Sequence, residues 1–337
     1  MPDSPHLPSD FLFEAGRRRI EKKATGPACH TASLYTILPT DMSHPTFSRR
    51  AFLGTTAFAA ASLHHRLEAA DLATGLKGRI NHSACKWCYD KIPLEDLCRA
   101  GKEMGLTSID LVDPPDFEIM KKYGLTTAMV SFPSLEVNGK KIGSIPHGFN
   151  RLENHETLIK LYEPLFKQTA AFGAKQVICF SGNRDGMDPE TGLKNCAEGL
   201  KKLMPLAEKH GITLVMELLN SRVNHADYMC DTSAWGIQLC EAVGSERFKL
   251  LFDIYHMQIM EGDIIATIQK NHRYFSHYHT GGVPGRHEID ETQELNYPAI
   301  MRAIVDTGYK GWVAQEFIPA KPDKLVSLKQ AVGICDV

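Results

Sequence analysis

Four apolar runs in the second half of the chain each end in one side chain that can bind a metal. Leu214-Val215-Met216 leads to Glu217, and Leu250-Leu251-Phe252 leads to Asp253. Tyr274-Phe275-Ser276-His277-Tyr278 leads to His279, and Trp312-Val313-Ala314-Gln315 leads to Glu316. The stretches between them hold one helix and two loops each, the rhythm of a repeated strand–helix unit. When such units close into a barrel, the carboxyl ends of the strands converge on one mouth, so the four residues read as one site. Glu217 and Glu316 are the sharpest pair, because an unpaired carboxylate after a run that should be buried is costly.

The units before these runs complete the count. Strand 1 is predicted at Arg79–Ser83, with a helix from Pro93 to about Met104 stopped by Gly105. Strand 2 is predicted at Ser108–Val112 and strand 3 at Thr126–Val130. A Gly- and Pro-punctuated segment then runs to about Phe149 and reads as an active-site loop. A helix from Glu156 to Phe172, strand 4 at Gln176–Phe180, and a helix from Pro189 to His210 closed by Gly211 lead into the four runs. Asn296 caps a last crossover helix with Pro298 in its first turn, and Gly308 ends it. The result is an α/β chain, a (β/α)8 TIM barrel from Gly78 to Pro319, close to the ~250 residues typical of that fold. The tail from Pro322 to Val337 is expected to form a helix packed on the barrel or on a partner subunit, which would make a homo-oligomer.

Residues 1–70 are expected to stand apart from a catalytic domain at 71–337. Met1 to about Asp41 lacks periodicity and carries Arg17-Arg18-Arg19, as a disordered leader or the product of an upstream start would; Met42 is the more natural start. Ser48-Arg49-Arg50-Ala51-Phe52-Leu53-Gly54 resembles a twin-arginine export motif. An alanine-rich run from Thr55 to Leu63 and the small pair Ala69-Ala70 follow in the required order. That predicts a periplasmic or otherwise exported protein, cytoplasmic if the signal is not used.

The formal net charge of −2 gives no basic footprint for nucleic acid. No stretch is long and apolar enough for an ordinary membrane span. The nine cysteines are odd in number and scattered, unlike a disulfide framework. Cys85-Lys86-Trp87-Cys88 lacks the second Cys or His pair of a structural zinc site. It reads as a loop beyond strand 1 where Trp87 walls the pocket, the thiols being incidental or, after export, disulfide-bonded. No GxGxxG or P-loop opens a helix, so no nucleotide cofactor is expected.

Three carboxylates and one imidazole make a hard, mostly oxygen donor set for Mn²⁺ or Mg²⁺, with Co²⁺ or Zn²⁺ also suited. Alternation puts His277 and His279 on the same side of their strand; the more C-terminal one is assigned to the metal, and His277 to supporting the ligands from behind or, its more frequent fate, to barrel filling. His256 lies just beyond a strand end, where it either donates to a substrate oxygen or is a surface histidine. Arg286, in the Gly-rich loop Gly281–Glu288, is placed to hold a carboxylate or enediolate oxygen through its planar fork.

Leu251-Phe252-Asp253-Ile254-Tyr255-His256-Met257-Gln258, Pro284-Gly285-Arg286-His287-Glu288, Leu295-Asn296-Tyr297 and Gly308-Tyr309-Lys310-Gly311-Trp312-Val313 occur in one order. Together they resemble the hydroxypyruvate isomerase family, within the xylose isomerase-like TIM-barrel isomerases and epimerases. The resemblance spans about Gly78 to Pro319. It implies a divalent metal held by Glu217, Asp253, His279 and Glu316, the two glutamates as acid/base pair, and substrate contacts from His256 and Arg286. Hydroxypyruvate isomerases often carry glutamine where this chain has His279, which the ketose epimerases share. The expected activity is isomerisation of hydroxypyruvate to tartronate semialdehyde through an enediolate. The rivals are a ketose or inosose 3-epimerase and a non-catalytic periplasmic sugar-acid binder. Apurinic endonucleases share the barrel but need more ligands and a basic surface.

Overall fold

The computed structural model describes residues 75–337. The leader, the twin-arginine motif and the cleavage region lie outside the described residues. Six parallel strands form the regular part of the barrel: β1 (Asn81–Ala84), β4 (Gln176–Cys179), β5 (Thr213–Glu217), β6 (Phe248–Asp253), β7 (Phe275–Thr280) and β8 (Trp312–Gln315), in the order β1-β8-β7-β6-β5-β4. β2 (Leu135–Val137) and β3 (Lys140–Ile142) are a separate antiparallel hairpin.

The barrel closes between β1 and β4 through the segments expected as strands 2 and 3, and here the structure differs from the expectation. They pair only at alternate or isolated points: Cys85 with Asp110, Ser108 with Thr126, Val112 with Val130, and Val130 with Val177. Backbone bonds still carry the wall around, from Asp110 N to Ala84 O (2.8 Å), Leu111 N to Met129 O (2.7 Å) and Ile178 N to Val130 O (3.1 Å). Two features break the regular ladder. Leu111 is left-handed (φ 55°), which costs an L-residue with a branched side chain. Side chains also take over backbone groups: Ser108 Oγ accepts from Ala128 N, and Thr127 Oγ1 donates to Met129 O.

The helices between strands follow their sequence signals closely. His155–Phe172 ends at left-handed Gly173, and Pro189–His210 begins at Asp188, whose carboxylate accepts from Thr191 N, and ends at left-handed Gly211. Tyr297–Asp306 begins at Asn296, whose side chain accepts from Ala299 N. The last helix, Lys324–Cys335, buries Leu328, Ala331 and Val332 and meets β8, where Gln315 Nε2 donates to Cys335 Sγ. The segment read as one long active-site loop contains the β2–β3 hairpin. Asn138 and Gly139, both at positive φ, turn it, the Asn-Gly signature of a type I′ turn. Among the described residues no helix is long and apolar enough to cross a membrane.

The pleat sorts side chains between the barrel interior and the helix layer. Leu251 and Asp253 pair with His277 and His279, while Phe252 pairs with Tyr278. Phe252 is fully buried, its ring 4.7 Å from that of Phe275. Phe252→Ala is expected to cost about 3–5 kcal/mol, read as a lower urea midpoint at unchanged slope. A midpoint equal to the parent's would show that this layer is not packed as described.

Candidate metal centre at the barrel mouth

The residues picked from the ends of the apolar runs meet. One ligand atom each from Glu217, Asp253, His279 and Glu316 lies within 4.8 Å of the others, and all four side chains are buried. His279 turns Nδ1 toward the carboxylates, 2.9 Å from Glu316 Oε2 and 3.7 Å from Glu217 Oε1. Asp253 serves also as a helix cap, its Oδ1 accepting from His256 N at 3.0 Å. Arg286 reaches over the mouth as expected. Its Nη2 donates to Glu316 Oε2 at 2.5 Å and to Asp253 Oδ2 at 3.3 Å.

The charges do not balance within the cluster. Burial raises the Asp253 carboxyl well above its usual range; Arg286 opposes this, and Glu316 and Glu217 add to it. Glu217 is raised as well, first by burial and then by Glu316. For Glu316 burial acts upward too, but His279 and Arg286 outweigh it and hold the carboxyl well below the usual range. Glu217 Oε1 is buried with no hydrogen-bond partner. Three carboxylates and an imidazole in reach of one point, with one oxygen unsatisfied, fit a divalent cation.

The other expected contacts divide. Trp87 stands at the mouth and donates through Nε1 to Glu316 Oε1 at 2.8 Å. The guanidinium of Arg286 lies 5.2 Å from the Trp87 ring centre. His256 is fully buried and does not line the cavity, so it is not a surface histidine. Asn220 N donates to its Nδ1 at 3.2 Å, and its Nε2, without a hydrogen-bond partner, lies 3.7 Å from Asp253 Oδ2. His225, its ring centre 5.3 Å away, lines the cavity instead. His277 fills the interior beneath His279, as alternation required.

Two features escaped the sequence reading. Cys85 and Cys88 are both free and buried, and Cys85 is not incidental, because its Sγ lies 3.6 Å from His279 Nε2. Asp110, fully buried, has its Oδ2 2.5 Å from His277 Nε2. The signal that exposed Glu217, a carboxylate inside an apolar run, was present in Ser108-Ile109-Asp110-Leu111-Val112 as well. The mouth opens on a cavity of about 330 Å³. Glu217, Glu316, Arg286, His225 and Trp87 line it together with Leu111, Ser131, Phe132, Ile145, Ile178, Phe180 and Leu219.

A family model described as xylose isomerase-like TIM barrel matches residues 101–331. A 2-oxo-tetronate isomerase of Cupriavidus necator is 35% identical over 113 residues, 34% of this chain and 43% of that protein. A human protein whose name carries a provisional assignment as hydroxypyruvate isomerase is 25% identical over 238 residues, 69% of this chain and 77% of its own. Among solved structures, a family 2 AP endonuclease of Brucella melitensis superposes with a TM-score of 0.64 at 24% identity, over 74% of this chain and 96% of that one. At that identity the likeness bears on the fold alone.

Proposed function

This chain belongs to the xylose isomerase-like TIM barrel family, and from that premise we propose that it is a divalent-metal-dependent isomerase of small hydroxy-carbonyl acids, converting hydroxypyruvate to tartronate semialdehyde. The observation that carries this reading is the pair Glu217 and Glu316, clustered with Asp253 and His279, which together with Arg286 supply the charged groups of a cavity otherwise lined mostly by apolar side chains. A short acid gathers all its oxygens on those few charged groups. A free ketose would lay hydroxyls against Leu111, Phe132, Ile178 and Phe180, and each one left without a partner costs about 1–3 kcal/mol. The names of the relatives, a 2-oxo-tetronate isomerase and a protein provisionally assigned as hydroxypyruvate isomerase, support the same substrate class.

Glu217, Asp253, His279 and Glu316 would hold the ion. Mn²⁺ or Mg²⁺ bound there supplies Lewis-acid polarisation of neighbouring carbonyl and hydroxyl oxygens. Two carboxyls whose surroundings push them apart suit an acid and a base. Glu316, kept ionised by His279 and Arg286 and aimed by Trp87, takes the proton from the hydroxyl-bearing carbon. Glu217, raised by burial and by Glu316, returns a proton to the neighbouring carbon. The hydroxyl proton passes to the former carbonyl oxygen, and Glu316 loses and Glu217 regains one proton through solvent before the next turnover. Arg286 presents its donors to the oxygens on which enediolate charge develops. Trp87 and the apolar lining keep bulk water from the carbanionic carbon.

Arg286→Met is expected to lower kcat/KM about ten- to hundredfold, the loss of a charged hydrogen bond worth about 1.5–3 kcal/mol, without unfolding the barrel. Unchanged kcat/KM would remove Arg286 from the substrate site. The reading itself is tested by assaying the Mn²⁺-loaded protein on hydroxypyruvate, 2-oxo-tetronate and a panel of free ketoses. Turnover of the acids is expected. Faster turnover of a ketose would establish the 3-epimerase alternative, and binding without conversion would establish a sugar-acid binder.

A further inference from the structure

His225 lines the cavity, yet the reaction above gives it no task. It sits in the loop after β5, which is closed on the fully buried Asn220. Asn220 Oδ1 accepts from Val223 N at 2.9 Å and from Asn224 N at 3.0 Å, and Asn220 O accepts from His225 N at 3.0 Å. Tyr255 braces the turn from the helix that Asp253 caps, its hydroxyl donating to Asn224 Oδ1 at 2.8 Å. A side chain carried by a loop so fixed meets the cavity in one place. The His225 ring centre lies 5.3 Å from that of His256, whose Nε2 is 3.7 Å from Asp253 Oδ2. His225 therefore stands one ring back from the candidate metal ligands. Among the described residues neither of its nitrogens is hydrogen-bonded.

The groups nearer the ion are one-sided in hydrogen bonding. Arg286 and Trp87 only donate, and the two glutamates are committed to the ion and to proton transfer. Burial, and then Arg286, push the His225 imidazole below its ordinary value, so at neutral pH the ring carries one N–H and one bare nitrogen. That combination matches a hydroxyl, which also donates and accepts. Ser131 offers the same pair, but the Asp113 carboxylate beside it competes for its proton. The cavity of about 330 Å³ falls within the ~300–1,000 Å³ of pockets that hold much larger ligands, so a three-carbon acid leaves room beyond its reacting carbons. We propose that His225 is a specificity-determining residue, which binds a hydroxyl on the carbon beyond the two that exchange hydrogen and so sets a preference for a four-carbon 2-oxo acid with a terminal hydroxyl. The inference rests on the isomerase reading above and extends its substrate by one carbon. With hydroxypyruvate bound, the imidazole stays hydrated.

The test uses the full chain loaded with Mn²⁺ and two acids: 2-oxo-tetronate and its 4-deoxy analogue, which ends in a methyl group in place of the hydroxymethyl. The parent should favour 2-oxo-tetronate by roughly three- to tenfold in kcat/KM, the range for one neutral hydrogen bond. His225→Phe keeps a flat ring without nitrogen atoms. Whatever it costs both acids in common, the ratio between them should fall to about one. His225→Gln restores a donor and an acceptor and should recover part of the preference. A side chain that merely supports the loop would slow both acids alike and leave the ratio standing, and that result would overturn the proposal. So would a parent that does not distinguish the two acids. His225→Leu repeats the comparison if the phenylalanine variant does not fold. Failure of the parent to convert either acid or hydroxypyruvate would sink the isomerase reading instead. Calorimetric affinities of the two four-carbon acids for parent and variant would then judge His225 by binding, on the same ratio.

Discussion

Glu217→Gln and Glu316→Gln are each expected to fold as the parent does and to turn over hydroxypyruvate about 10²–10⁴-fold more slowly, the usual contribution of a positioned acid or base. The amide keeps the size of the side chain and removes its ability to take or give a proton. The two changes should differ in their side effects. Glu217 Oε1 has no hydrogen-bond partner, and burial with Glu316 already pushes its carboxyl toward the neutral form, so Glu217→Gln should leave thermal stability nearly unaltered. Glu316 accepts from Trp87 and Arg286 and stands beside His279. Its amide should therefore lower the melting temperature as well, because Arg286 and His279 lose their counter-charge. Steady-state rates and melting curves on the same preparations separate chemistry from folding. Turnover within tenfold of the parent in either variant would rule out the two-glutamate scheme.

Removing divalent metal should have an equally large effect. Dialysis against EDTA is expected to bring activity to background and Mn²⁺ or Mg²⁺ to restore it, because the donor set of Glu217, Asp253, His279 and Glu316 leaves negative charge that Arg286 and His279 do not balance. The same titration should raise stability, since a ligand that binds only the folded form adds about 2.7 kcal/mol at a hundred times its Kd. Melting temperature and activity should climb together with added ion. Full activity in a preparation shown to be metal-free would contradict the assignment, and activity restored without any gain in stability would place the ion on the substrate and not on these four residues.

The sequence carried the repeated strand–helix rhythm because each unit writes its own local signals. Asp188 and Asn296 begin helices, Gly173 and Gly211 end them, and the apolar runs between them can only be buried strands. It also carried the four-residue cluster, because a barrel brings successive strand ends together whatever its details, and a charge at the end of a buried run has nowhere else to go. Even the stacking of His277 under His279 followed from a period of two. Tertiary structure alone decided whatever depends on which distant side chain arrives next. Asp110 became a buried partner of two histidines, and Cys85 a neighbour of His279, through pairings between strands that local pattern does not encode. The segments at residues 108–112 and 126–130 read as regular strands, but left-handed Leu111 and the hydroxyls of Ser108 and Thr127 interrupt them, because closing the barrel outweighed the ladder there. Propensity and period act over a few residues, whereas closure and charge pairing act across the whole barrel, and only the folded chain resolves that contest.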